Sequence, residues 1–249
     1  MKGTSKTLLA FKFLLVFVAT CLGWQPAAAQ VGTVYDEAAG DEWRSALILY
    51  AWGLGMDGTA TIRGNEVEVD KSFSDLLDDL DAALSLRFEA HKGRWGFFLD
   101  GMYTRLKPEE DTPIGTVTVD VKSWIAEAGG LYHFNDTVAA LYGVRYQDMD
   151  VNLEFPRRTV GAKQDWVDGF VGLRLVPVRT EKWAVFLRAD VGGGDSDFVW
   201  NASLGAQYRF NRNWSAIAAY RVLANDVEKD GFRWDVNYQG LGLAVGYSF

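Results

Sequence analysis

The thirteen residues 198–210, FVWNASLGAQYRF, separate into two faces. Phe198, Trp200, Ala202, Leu204, Ala206, Tyr208 and Phe210 share one; Val199, Asn201, Ser203, Gly205, Gln207 and Arg209 share the other. A period of two marks a β-strand, because successive side chains point to opposite faces. Strands of water-soluble proteins run about 5–6 residues, whereas a strand that crosses a bilayer needs about 9–11. An apolar face kept up over this length predicts a strand that lies against hydrocarbon.

The same alternation recurs along the chain. Candidate strands span residues 43–56, 82–91, 94–106, 115–134, 138–155, 166–178, 182–192, 198–210, 214–226 and 234–249. Their connections alternate in length. KG, NDT, TE and NRN are tight and polar; residues 57–81, KPEEDTPI, PRRTVGAKQD, GGDSD and VEKDG are longer. Short turns on one side and longer loops on the other are the pattern of a closed transmembrane barrel. The expected fold is an all-β, closed antiparallel transmembrane barrel of about ten strands, with eight to twelve allowed because TATIRGNEVEV reads either as an extra hairpin or as an extension of its neighbours. An even count puts both chain ends on the short-turn side.

Composition narrows the function classes. Lys2, Lys6 and Lys12 precede the apolar run FLLVFVATCLGW, and QPAAAQ follows with Ala27 and Ala29 at small-residue positions. This is the pattern of a cleaved secretory signal peptide over 1–29, with the barrel domain over 30–249. Cys21 is the only cysteine, so a chain cut after Ala29 carries no disulfide. The net charge is −8, and loss of the three leader lysines takes it to −11. That argues against nucleic acid as a partner, since a polyanion needs a basic patch. Aromatic residues make up 14% of the chain, with ten tryptophans, which suits a barrel ringed by interfacial aromatics.

The ending Leu241, Leu243, Val245, Tyr247, Phe249 alternates with small or polar residues. It resembles the closing strand of bacterial outer-membrane β-barrel proteins, within the superfamily of small OmpA/OmpW-like barrels. The resemblance implies that these five residues form both a lipid-facing stave and the signal read by the barrel assembly machinery. It implies a Gram-negative outer-membrane location, contact with outer-membrane lipid and lipopolysaccharide, and no cofactor. A small barrel needs no second copy to close, so a monomer is expected.

Alternation assigns the charges. Arg87, Glu89, Asp100, Glu127, Arg145, Asp168, Arg174, Arg188, Asp190, Arg209 and Arg221 should point into the lumen. An arginine on the lipid face at mid-bilayer would cost about 2–4 kcal/mol. Six arginines against five carboxylates suggest ion pairs across a filled interior rather than a pore selective for one sign. Trp95, Trp183 and Trp214 with Tyr132, Phe134, Tyr208 and Phe210 should form the girdle at the short-turn end. Trp52, Trp124, Tyr146, Trp200 and Tyr220 are candidates for the opposite girdle.

Residues 57–81 carry eight carboxylates and two basic residues. Within them SFSDLLDDLD places Phe73, Leu76, Leu77 and Leu80 at helical spacing behind Ser72, with Asp75 three residues on. A short amphipathic helix over 72–81 is expected, placed as an acidic lid over the barrel mouth. Asp75, Asp78, Asp79 and Asp81 read more readily as a solvated helix face than as a calcium site, since their spacing is not that of an EF-hand loop. His91 and His133 both adjoin short turns, and GxSxG, HExxH and paired-cysteine motifs are absent from the sequence. No catalytic or metal site is expected. The sequence supports a structural or interaction role first, a narrow channel for small solutes or ions second, and a rim-acting hydrolase third.

Overall fold

In the computed structural model, residues 198–210 form one stave of a closed antiparallel barrel. The structure describes residues 39–62, 65–112, 115–155, 158–229 and 232–249. The expected signal peptide and Cys21 lie outside them. Strands in chain order are β1 (Ala39–Ile62), β2 (Asn65–Lys71), β3 (Leu80–Gly93), β4 (Trp95–Leu106), β5 (Glu109–Thr112), β6 (Gly115–His133), β7 (Val138–Phe155), β8 (Arg158–Arg179), β9 (Trp183–Gly194), β10 (Phe198–Arg209), β11 (Trp214–Lys229) and β12 (Phe232–Ser248). One helix, α1 (Phe73–Asp78), joins β2 to β3.

Ten of these strands are staves. Order runs β1-β3-β4-β6-β7-β8-β9-β10-β11-β12, and β12 pairs back onto β1 from Ala46↔Ser248 to Ile62↔Phe232. β2 folds back on the outer part of β1 (Met56↔Lys71), and β5 on the start of β6. The stretch TATIRGNEVEV is therefore both an extension and a hairpin. The expected loop PRRTVGAKQD is corrected: β7 and β8 stay paired out to Phe155↔Arg158. Closure matters physically, because a lipid-facing sheet edge would leave backbone groups without partners.

The two faces differ as a membrane barrel requires. Outward side chains such as Leu47, Leu99, Val144, Val171, Leu187, Leu204 and Leu243 are exposed and apolar. At the short-turn end, Trp95 meets Tyr132, Trp183 meets Tyr208 and Trp214 meets Tyr247, each with ring centroids 4.8 Å apart. Gly93 lets the β3–β4 turn tighten, at φ 57°, a conformation glycine adopts without strain. Toward the long-loop end, Tyr103 packs on Trp124 and the outward charges begin: Arg105 pairs with Asp120 and Lys163 with Asp148. Trp124, Tyr146, Trp200 and Tyr220 are exposed on that outer face. Trp52 is not. It turns into the lumen, where its ring lies under the Arg221 guanidinium at 4.8 Å. Its strand is apolar on both faces, so the alternation there gave no contrast.

The helix also departs from expectation. Gly53 lies on the outward face of β1, and a Cβ placed there would meet the Phe73 ring at 2.8 Å. α1 thus leans on the outer flank of β1 and is not a lid over the mouth. It stands where β1 has no β3 partner: that ladder ends at Leu49↔Leu86, while the β12 ladder continues to Ile62. Phe73 stays exposed, Leu76 is buried, and Leu80 opens β3 instead of closing the helix.

Ser72 and Asp75 cap α1 reciprocally: the Asp75 N–H donates to Ser72 Oγ at 3.3 Å, and Ser72 N–H donates to the Asp75 carboxylate at 3.0 Å. The Ser72 hydroxyl, then its N–H, holds the Asp75 carboxyl below its ordinary value. A depressed carboxyl contributes stability above its unfolded pKa of about 3.9, and loses it as pH falls through the lower folded value. Amide protection in α1 should therefore hold at about pH 5 and drop below about pH 4. Hydrogen exchange read by mass spectrometry checks this, and Ser72→Ala should remove the dependence.

Candidate functional site

The lumen is layered. Near the short turns, Phe98, Leu131, Leu141 and Phe170 form one apolar cluster, and Ile48, Val176, Phe186 and Ile217 another. Near the long-loop end lies a larger one, built from Trp166, Val199, Leu223, Val227, Trp234, Val236 and Tyr238. Between them sits an ionic layer. Sequence alternation did not reveal the outer apolar cluster. Its signal is a change of phase in β12: Trp234, Val236 and Tyr238 are apolar inward, whereas Leu241 and Leu243 are apolar outward.

Register builds the ionic layer in two rows. Arg87↔Asp100↔Glu127↔Arg145↔Asp168 are directly opposed on β3, β4, β6, β7 and β8. Arg174↔Arg188↔Ser203↔Arg221 are opposed on β8, β9, β10 and β11. The first row mixes signs; the second has three arginines and no carboxylate.

Bonds across the lumen join the rows. Arg145 Nε donates to Glu127 at 2.9 Å and its Nη2 to Asp190 at 2.7 Å. Arg221 Nη2 donates to the same Glu127 oxygen at 3.0 Å, and Arg188 Nη2 stands 2.8 Å from the other. That last contact is an ion pair without hydrogen-bond alignment. Arg188 Nε donates to Asp190 at 2.7 Å. Glu127 thus serves three guanidiniums, and both it and Arg145 are buried. Such burial is tolerable only because each charge meets several partners. Asn201 bridges, donating to Asp190 and accepting from Arg221 Nε, both at 2.8 Å.

A second knot centres on Glu89, fully buried, which takes bonds from Arg87 (2.8 Å), Arg174 and His91 (2.7 Å). His91 Nδ1 lies 3.1 Å from His133 Nε2. Both histidines are inside the short-turn end. Tyr50 donates to Asp100 at 2.8 Å. Asp168 turns aside, accepting from the Ser196 N–H and hydroxyl at 2.8 and 2.7 Å. Arg209 sits on the inward face of β10 near the 210–213 turn, opposite Ser215 and away from the layer. Sequence reasoning missed Tyr50, Trp52 and Asn201 as members of the layer.

Phenylalanines floor it. Arg87 lies over the Phe98 ring at 4.2 Å and Arg145 over Phe170 at 4.9 Å. The opposed glycines Gly129 and Gly143 make room for those rings; a Cβ would meet Phe98 at 2.7 Å or Phe170 at 2.8 Å.

The fold and its two faces define a closed, ten-stave β-barrel of the membrane type. No family model and no curated protein matches the sequence. Among solved structures, the chain is similar to Ail, the attachment invasion locus protein of Yersinia pestis, at 15% identity over 83% of this chain and 98% of that one, with TM-score 0.43. It is similar to the transport unit of the autotransporter AIDA-I from Escherichia coli at 9% identity over 95% and 97%, with TM-score 0.41. Neisserial surface protein A follows at 13% identity over 83% and 97%, with TM-score 0.37.

Proposed function

We propose that this is a structural and interaction barrel of the bacterial outer membrane, exported by a cleaved signal peptide, inserted as a monomer and not an enzyme. Its lumen serves as a packed core and not as a conduit. The observation that carries this reading is the layering: an ionic layer covered on the long-loop side by the larger apolar cluster, and on the short-turn side by two smaller clusters that share their level with the Glu89 knot. A ten-stave barrel is close to the size whose interior side chains fill. Water crossing it would have to pass Trp166, Leu223 and Val236, which are buried against one another.

Lipid and lipopolysaccharide cover the apolar belt, and the run Leu241, Leu243, Val245, Tyr247, Phe249 is the feature the assembly machinery would read. Phe249 supports this by closing the barrel: its N–H donates to the Ser45 carbonyl at 2.8 Å. What remains for function is the long-loop end, where the β7–β8 hairpin projects.

Planar bilayers test the reading. Purified, refolded protein should insert with no steady conductance. Trp166→Ala with Trp234→Ala thins the outer apolar cluster and should raise the frequency of transient openings. Reproducible unitary steps from the unaltered barrel would make it a narrow channel and overturn the proposal.

A further inference from the structure

The second row of the ionic layer faces a cavity of about 140 Å³ beside Tyr50 and Trp52. Arg174, Arg188 and Arg221 line it with Ser203, and Arg87 and Asp100 close the far side. Four guanidiniums thus border the space against one carboxylate. The carboxylates that balance them, Glu89, Glu127 and Asp190, do not line it.

Arg221 uses Nε and Nη2 on Asn201 and Glu127; Arg188 uses Nε and Nη2 on Asp190 and Glu127. The Nη1 group of each has no such bond and is left for an occupant. The layer pairs five arginines, Arg87, Arg145, Arg174, Arg188 and Arg221, with five carboxylates, but the two signs are unevenly placed: four of the arginines and only Asp100 of the carboxylates line the cavity. A cavity wall on which guanidiniums outnumber carboxylates four to one presents unused N–H donors to whatever occupies it, and an anion satisfies them best.

We propose that this cavity is a binding site for a small organic carboxylate with a compact apolar or aromatic body. The guanidinium fork matches a carboxylate, while Trp52, Tyr50 and Phe186 form an aromatic wall. A cavity of about 150 Å³ holds a molecule the size of benzene, so a long acyl chain is too large. Beside the cavity, β1 beyond Leu49 has no β3 partner, so the wall next to Tyr50 and Trp52 is not closed by a strand ladder.

The test is calorimetric titration of the detergent-solubilised barrel with benzoate, at constant ionic strength. Benzoate should bind saturably, one per barrel; benzyl alcohol, its neutral counterpart, should not. Arg221→Gln should weaken binding at least tenfold. Ser203→Leu removes no charge and fills the cavity, so it should abolish binding while the heat-shifted gel mobility of the folded barrel is kept. Non-saturable benzoate heats overturn the site. Equal binding of benzyl alcohol overturns its charge selectivity, and unchanged binding by Ser203→Leu overturns its place.

Discussion

Replacing Glu127 by glutamine is expected to destabilise the barrel by about 3–5 kcal/mol, the usual penalty for removing one partner from a buried ionic network. Shape is nearly conserved, so no cavity confuses the reading. Glu127 is contacted by Arg145, Arg188 and Arg221, and Arg145 is fully enclosed. Arg145 would keep Asp190, 2.7 Å away. Arg221 would keep only the neutral Asn201 among its hydrogen-bonded partners here. Urea unfolding in micelles, followed by tryptophan fluorescence and far-ultraviolet circular dichroism, gives the midpoint. A matched control is Asp226→Asn, whose pair with Arg233 is exposed and 3.9 Å long; surface pairs contribute about 0–1 kcal/mol. If the two substitutions move the midpoint equally, the lumen is wet and the network is not a packed core. The same Glu127→Gln barrel carries more positive charge, so benzoate should bind it more tightly than the unaltered protein.

Much of this was legible in the sequence, and the failures share one cause. Strand identity followed from alternation, and inward arginines followed from the penalty of placing them in lipid. Alternation, however, reports contrast between faces and is silent where the contrast vanishes or reverses. It vanishes in β1, where Ile48, Tyr50 and Trp52 face the lumen and Leu47 and Leu49 face outward. Trp52 could be placed on either face by pattern alone. It reverses in β12 at Gly240: Trp234, Val236 and Tyr238 before it are apolar and inward, and Leu241 and Leu243 after it are apolar and outward. The phase flip was present in WDVNYQGLGLAVGYS but needs a membrane boundary to be understood. The helix failed for another reason. Its stripe correctly asked for a partner, but a short amphipathic helix does not say which surface it meets. Gly53 decides that, since the absence of a side chain on β1 makes the seat for Phe73. Pairing within the ionic layer was beyond pattern altogether. Which carboxylate meets which arginine depends on register across strands up to 94 residues apart, as in Arg221 and Glu127.

The second large effect concerns the outer face. Leu204 is 54% exposed, on the middle of β10, opposite Leu187 on one side and Tyr220 on the other. On a protein surrounded by water, changing so exposed a leucine to arginine should shift stability by no more than about 0.5 kcal/mol. In hydrocarbon the same change should cost about 2–4 kcal/mol near the midplane and about 0–1 kcal/mol near an interface. Leu204→Arg should therefore lower the unfolding free energy by about 2–4 kcal/mol in lipid vesicles, whereas Trp200→Arg, nearer the outer rim, should lose less through charge burial. Neither substitution touches the lumen, so benzoate binding to the folded fraction should be unchanged. Depth is the discriminating variable. A packing defect would follow the volume lost at each site, but a bilayer imposes a penalty that peaks between the girdle at Trp183 and Tyr208 and the outer aromatics. Equal, small effects at both positions would mean that the apolar belt faces water or another protein, and the membrane reading would fail with it.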